Sequence, residues 1–290
     1  MIKSSFNKPF LIKVLFVLLM CAVTRLYSEI PDVIYHINDK GQVTGKYKIY
    51  AREDILFCTG DDPAGMENNR AAELMIIGNF EQAKQVLEEA LVHDKLFLPF
   101  RYNLGICCLY LHQLDVALMH FTKAKQLVPE YSLVYIQIGY IYDRKNREDE
   151  ALRCFRTALK KNPGNLNTYI LIGNIYYNRN QMSLAKKYYE TALEMDSNYP
   201  NGLLGLAKIH FKKEEYHKAI VLFKSMDLAG EYDKAMHFYY AESSYRLGDY
   251  QKAADEYEKL LTFRNDRFFL VNSALLIRHK LEMARRFTER

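Results

Sequence analysis

The chain has 290 residues, of which 49% are hydrophobic and 26% are charged, with 13 glycines and 7 prolines. This composition is sufficient for a sizeable apolar core and excludes the disordered and fibrous classes of protein. The formal charge of +5 comes mainly from four basic residues within the first 28 positions, which contain no acid, so that 36 basic and 35 acidic residues remain beyond them. This balance predicts no nucleic-acid partner.

The first 28 residues have the pattern of a secretory signal peptide. Lys3, Lys8 and Lys13 precede a run of uncharged residues at positions 14–23, VLFVLLMCAV, which is shorter than the about 20 apolar residues that span a bilayer. We predict a signal peptide over residues 1–28, cleavage near Ser28, and export to the periplasm or cell envelope. Two alternatives would tether the chain to a membrane: an uncleaved signal anchor, and a lipoprotein modified at Cys21.

The segment of residues 29–63 has a different pattern. Two β-prone runs within residues 33–50 flank the turn-forming sequence NDKG at residues 38–41. This arrangement predicts a small β-hairpin. We expect the hairpin to cover the start of the helical array that follows, and a separate binding element is the alternative.

From residue 64 the sequence repeats with a period of 34 residues, a sign of an array of similar units. Six ungapped units occupy residues 64–97, 98–131, 132–165, 166–199, 200–233 and 234–267. One column is alanine throughout, at Ala83, Ala117, Ala151, Ala185, Ala219 and Ala253. A second column is small, at Ala71, Gly105, Gly139, Gly173, Ala207 and Ala241. A third is large, at Leu87, Phe121, Phe155, Tyr189, Phe223 and Tyr257.

Each unit is predicted to be a helical hairpin. In the third unit, Ile138, Ile141 and Tyr142 recur at helical spacing, and a second helix stops before Pro163. The column between the two helices favours glycine and asparagine, which tolerate the left-handed geometry that ends a helix. Its members are Gly78, His112, Asn146, Asn180, Glu214 and Gly248.

These columns closely resemble the tetratricopeptide repeat family, whose unit is 34 residues long. The resemblance implies an all-α fold: a right-handed α-solenoid of six helix-turn-helix repeats, with the first helix of each repeat lining a concave groove. Arg70 and Ser244 depart from the pattern, since they occupy columns that are usually apolar. Residues 268–290 begin another unit but stop after one helix, so we predict a solvating C-terminal capping helix.

The resemblance also indicates where a partner would bind. Relatives that capture a terminal carboxylate use Lys, Asn and Arg, whereas here Tyr102, Ile136 and Ile170 replace the lysines, so we predict no carboxylate capture. Tyrosine and isoleucine instead favour an apolar or amphipathic partner segment, unless the tyrosines only pack between repeats. The predicted groove residues are Tyr102, Ile106, Tyr110, Ile136, Tyr140, Arg144, Ile170, Asn174, Tyr177, Asn178, Lys208, Phe211, Glu242 and Tyr245.

The sequence contains no motif for catalysis, a cofactor or a metal. Nucleotide-binding glycine loops, HExxH, GxSxG and CxxC pairs are all missing from it. Cys58, Cys107, Cys108 and Cys154 are expected to be buried free thiols, with a bridge such as Cys58–Cys107 left open. We therefore predict a non-enzymatic scaffold or adaptor that binds a protein partner. The alternatives are a chaperone-like holder of unfolded or membrane-protein clients and a self-assembling structural element.

Overall fold

A computed structural model describes residues 32–37, 43–59, 62–228, 234–262 and 274–288. Three strands come first: β1 (Asp32–Ile37), β2 (Val43–Arg52) and β3 (Ile55–Thr59). The thirteen helices of the described residues are α1 (Pro63–Ile76), α2 (Phe80–His93), α3 (Leu98–Tyr110), α4 (Leu114–Leu127), α5 (Ser132–Arg144), α6 (Glu148–Lys161), α7 (Leu166–Asn178), α8 (Met182–Met195), α9 (Pro200–Lys212), α10 (Tyr216–Leu228), α11 (Lys234–Arg246), α12 (Tyr250–Thr262) and α13 (Ala274–Thr288).

As predicted, the fold is all-α and consists of helical hairpins of the solenoid type, preceded by a small N-terminal sheet. From α3 onward, the first helix of each hairpin begins at Leu98, Ser132, Leu166, Pro200 or Lys234, in steps of 34 residues. The chain divides into two compact units, Met1–Lys145 and Asn146–Arg290, called unit 1 and unit 2 below. Unit 1 holds the sheet and α1–α5, and unit 2 holds α6–α13.

The sheet has one strand more than the sequence predicted. β1 and β2 pair antiparallel, but β2 continues to Arg52 and turns back at Glu53 and Asp54 into β3, which pairs antiparallel with β2. Glu53 and Asp54 have positive φ of 51° and 64°, which suits the tight turn of a two-residue hairpin. The predicted turn at residues 38–41 and the predicted signal peptide lie outside the described residues.

The residues predicted to end the first helices adopt left-handed backbone geometry in all six 34-residue repeats. The φ angles lie between 57° and 61° for His112, Asn146, Asn180 and Glu214, and at 80° and 81° for Gly248 and Gly78. Left-handed geometry is strained for residues with a Cβ, so His112 and Glu214 hold it at a cost that Gly78 and Gly248 avoid.

The repeated small and large columns form the packing contacts. All six column alanines are 0% exposed, and the large residues of the third column are at most 1% exposed. A Cβ on Gly105 would lie 2.6 Å from the ring of Phe121, and one on Gly173 would lie 2.5 Å from the ring of Tyr189. At Gly105 and Gly173 the column is therefore small because an aromatic ring of the second helix lies directly against the first helix.

Helix α13 covers the hairpin formed by α11 and α12. Ile277, Leu281 and Ala284 of α13 are buried in one cluster with Tyr257 and Leu260 of α12. The opposite face of α13 is exposed, as a cap requires. No helix within the described ranges has both the length and the hydrophobicity needed to cross a membrane.

Three of the four cysteines match the expectation for buried thiols that act as small hydrophobes. Cys58, Cys107 and Cys108 are buried and free, whereas Cys154 is half-buried. Burial raises the pKa of Cys58 and of Cys107 to about 12, which keeps both thiols protonated and unreactive at neutral pH.

Candidate functional site

In unit 1, the β2–β3 hairpin lies on the first helices, where the sequence predicted a groove. β3 packs against α1 and α3. Leu56 of β3 is 0% exposed, and its main-chain N–H donates to the side-chain Oδ1 of Asn103 at 2.9 Å. The start of the array is therefore covered by β3, a strand that the sequence did not predict.

The tip of the hairpin reaches α5. The Gln137 side chain hydrogen-bonds to the carboxyl group of Asp54, whose pKa is raised by partial desolvation. Tyr102 lies close by, because its hydroxyl accepts a hydrogen bond from the same Gln137 side chain at 3.4 Å. Burial and then the charge of Asp54 raise the pKa of its phenol. The hairpin thus runs along the first helices of unit 1.

Three of the six predicted groove residues of unit 1 are inaccessible. Tyr102, Ile106 and Ile136 are 0%, 2% and 5% exposed. Tyr110 is 56% exposed and stacks on Phe80, with ring centroids 4.1 Å apart. The exposed Arg144 donates to the hydroxyl of the half-buried Tyr140 at 3.0 Å.

In unit 2, helices α7, α9 and α11 present a surface of aromatic rings and lysines, which we call the lysine–tyrosine face. It consists of Tyr177, Lys208, Phe211, Lys212 and Tyr239. The Lys208 ammonium lies 4.7 Å from the ring centroid of Tyr177 and 5.9 Å from that of Tyr239. Lys212 lies 5.2 Å from the Tyr177 ring.

The aromatic side chains hold this face together. Tyr177 and Tyr239 are joined by a hydrogen bond between their side chains, and desolvation followed by the charge of Tyr239 raises the pKa of Tyr177 to about 12. Phe211 meets Tyr239 edge to face, with centroids 5.1 Å apart. The lysines therefore lie over neutral, partly desolvated aromatic rings, where a cation–π contact contributes about 0.5–2 kcal/mol.

The other predicted residues of unit 2 divide between surface and core. Asn174 and Asn178 are exposed, and the Asn174 side chain accepts a hydrogen bond from the Tyr189 hydroxyl at 2.8 Å. Ile170 is only 5% exposed. Tyr245 is half-buried against Tyr250, with ring centroids 5.3 Å apart.

Glu242 was predicted to line the groove but is buried by the cap. It is 8% exposed, and its Oε1 accepts hydrogen bonds from the Tyr257 hydroxyl and from Lys280 of α13. The capping helix supplies a cation that pairs with the carboxylate, which is buried.

Two features of the surface were not predicted from the sequence. Asn68 and Asn69 pair with β3, and Tyr239 and Lys212 belong to the lysine–tyrosine face. The asparagines stand one column apart on α1, and Asn103 recurs in the column of Asn69 on α3. The recurrence of asparagine in one column was a sequence signal for this site, but its meaning depends on the position of β3. No set of three or more His, Cys, Asp or Glu side chains suited to a metal ion occurs in the part of the chain that the structure describes.

Comparison with known proteins agrees with this architecture. The family model described as "Tetratricopeptide repeat" matches residues 132–165, and that described as "Anaphase-promoting complex, cyclosome, subunit 3" matches residues 178–260. BBSome complex member BBS4 of Bos taurus is 30% identical over 95 residues, which cover 33% of this chain and 18% of that protein. The TPR repeat-containing protein YpiA of Bacillus subtilis strain 168 is 24% identical over 205 residues, 70% of this chain and 48% of that protein.

A solved structure extends the comparison to the fold. The widely conserved type IV pilus biogenesis factor PilW superposes with a TM-score of 0.62 at 20% identity, over 74% of this chain and 100% of PilW. The matched stretches span less than half the length of BBS4 and of YpiA. Together, these matches support an array of tetratricopeptide repeats in this chain.

Proposed function

We propose that this chain is a non-enzymatic scaffold that binds an amphipathic, acidic segment of a partner protein on the lysine–tyrosine face of unit 2. The observation that carries the proposal is the placement of Lys208 and Lys212 over Tyr177. Each ammonium has more than one N–H donor, so it can contact a ring and still donate to a partner's carboxylate. Tyr177 and Phe211, both half-buried, offer apolar area beside these charges.

The charge on this face favours a carboxylate-bearing partner. Glu242, the predicted groove residue with a carboxylate, is already held by Lys280 and Tyr257 and adds little negative potential. Opposite charge on the partner would speed association and would make binding sensitive to salt. Tyrosine contributes large contact area with few rotatable bonds, which suits a binding hot spot.

An exported location is part of the same proposal. Its support is the leader of residues 1–28, with three lysines ahead of the uncharged run. In such a setting the scaffold would act as an assembly factor. PilW, which is similar in fold, is described as a type IV pilus biogenesis factor. A fusion of residues 1–40 to alkaline phosphatase tests the location, because that enzyme becomes active only after export. An inactive, cytoplasmic fusion would contradict it.

The binding proposal is tested by affinity capture with the immobilised full chain. Membrane and soluble fractions are applied, and retained proteins are quantified by mass spectrometry for the wild type, Lys212→Glu, Tyr177→Ala and the control Lys186→Glu. Lys186 is an exposed lysine of α8 that pairs with Glu190 at 3.4 Å. We expect one partner that is lost with the first two variants, retained with the control and released by salt.

Two results would contradict the binding proposal. Equal retention of the partner by all four proteins would show that the lysine–tyrosine face is not the binding surface. Weak retention of many unrelated proteins, unaffected by Lys212→Glu, would favour a chaperone-like holder instead.

A further inference from the structure

The outer edge of β3 is paired with side chains instead of with another strand. The N–H of Cys58 donates to Oδ1 of Asn69 at 2.7 Å, and the carbonyl of Cys58 accepts from Nδ2 of the same residue at 2.8 Å. The carbonyl of Leu56 accepts from Asn68 and from Asn103, both at 2.8 Å, while its N–H donates to Asn103. Three asparagines thus satisfy four main-chain groups.

A side-chain amide carries a donor and an acceptor like those of a peptide group, so this helical surface acts as a neighbouring strand would. The asparagines also orient one another, because Nδ2 of Asn103 donates to Oδ1 of Asn68 at 2.9 Å. These contacts bind the main chain of β3, and Nδ2 of Asn68 in addition lies 3.6 Å from Sγ of Cys58. The surface formed by Asn68, Asn69 and Asn103 is therefore built to hold an extended segment.

The side chains of β3 are buried as well. Ile55, Leu56, Phe57 and Cys58 are each at most 8% exposed, and the tip of the hairpin meets Gln137 of α5. Leu56 and Cys58 direct their N–H groups to asparagines, so the antiparallel ladder with β2 uses the alternate residues of β3. The hairpin is therefore held to the helices by bonds that are separate from those that hold it together.

We propose that the first helices of unit 1 form a strand-binding site that reads the main chain through Asn68, Asn69 and Asn103, and that the β2–β3 hairpin is its resident ligand. The hairpin closes the site, and another extended segment enters only when the hairpin is displaced. This site is separate from the lysine–tyrosine face of unit 2, and neither proposal depends on the other.

The test releases the hairpin in the full chain and offers its strand back as a probe. Leu56→Pro combined with Cys58→Pro removes the two main-chain N–H groups that donate to the asparagines. The N–H groups that β3 donates to β2 belong to the alternate residues and remain. The probe is a labelled, end-capped peptide of residues 53–59, kept reduced, and its binding is followed by fluorescence anisotropy. Hydrogen exchange of residues 55–59, read by mass spectrometry, reports release of the hairpin.

We expect exchange in residues 55–59 to be at least tenfold faster in the double variant, and probe affinity to be at least tenfold higher than for the wild type. Adding Asn69→Ala to the double variant should abolish probe binding, whereas adding Asn198→Ala, at an exposed turn, should leave it unchanged. Far-UV circular dichroism checks that the helices persist. If the double variant unfolds, Cys58→Pro alone serves in its place, because it removes only the N–H that donates to Asn69 and leaves the three asparagines intact.

Three results would overturn the proposal. Unchanged exchange in the folded variants would show that the asparagines do not hold the hairpin. Equal probe binding by the wild type would show that the hairpin does not close the site. A released hairpin without probe binding would show that the surface is not a strand site.

Discussion

Glu256 and His237 form a buried pair in unit 2, with Nδ1 of the imidazole 2.6 Å from Oε2 of the carboxylate and both side chains at most 1% exposed. Lys252 and Lys259 approach the other carboxylate oxygen at 2.8 Å and 3.0 Å. Burial alone would raise the pKa of Glu256, but the hydrogen bonds from His237, Lys252 and Lys259 lower it to about 2. The ionised carboxylate is therefore a stabilising element of the α11–α12 hairpin.

The first prediction concerns the pH dependence of stability. A carboxyl group whose pKa is lower in the folded chain than in the unfolded chain stabilises the folded chain. This stabilisation is fully present at pH values above the unfolded pKa of about 4.3, and it is lost as the pH falls through the pKa of the folded chain. We expect Glu256 to contribute roughly 3 kcal/mol at neutral pH, on the basis of about 1.4 kcal/mol per pKa unit. Urea unfolding at pH 7, 5, 3 and 2 should show the free-energy gap between the wild type and Glu256→Gln shrinking between about pH 5 and pH 2.

The control for this prediction is Glu190→Gln, which removes a carboxylate from an exposed pair with Lys186. Such exposed pairs contribute about 0–1 kcal/mol, so the difference in unfolding free energy between the wild type and Glu190→Gln should stay small at every pH. A constant gap for Glu256→Gln across the pH series would contradict the assignment.

The second prediction concerns the contact between Gly173 and Tyr189. A methyl group on Gly173 would lie 2.5 Å from the tyrosine ring, so one of the two helices must move. We expect Gly173→Ala to destabilise the chain, since overpacking costs about 1–3 kcal/mol and outweighs the helix propensity gained by removing glycine. Gly164→Ala is the control, because the added methyl meets only a side-chain oxygen at 3.6 Å. Equal urea midpoints for the two variants would refute the steric explanation.

The third prediction concerns the left-handed residues between the helices. Gly248 has φ of 80° with no atom near its missing side chain, whereas Glu214 holds φ of 60° in the same column. We expect Gly248→Ala to lose, and Glu214→Gly to gain, about 1 kcal/mol, because only glycine adopts this geometry without strain. Thermal unfolding of the two variants measures both effects, and shifts in the same direction would disprove the backbone argument.

The amino-acid sequence by itself determined the helical hairpins, their period and their packing columns. Ala151, Gly173 and Tyr189 recur at fixed spacing, and each position is constrained by neighbours within its own hairpin or the next. Such constraints are written locally, as hydrophobic periodicity and residue size, so they can be read without a structure. The left-handed column was predictable for the same reason, since backbone geometry at a helix end selects residue types directly.

Tertiary structure alone decided which groove residues stay accessible. Tyr102 and Ile106 were expected at the surface, yet the β2–β3 hairpin occupies that surface through bonds between residues as far apart as Leu56 and Asn103. Main-chain groups are the same for every residue except proline, so their pairing leaves almost no trace in the sequence. Glu242 is likewise withdrawn by Lys280, 38 positions away, because a long-range ion pair has no period by which it can be recognised.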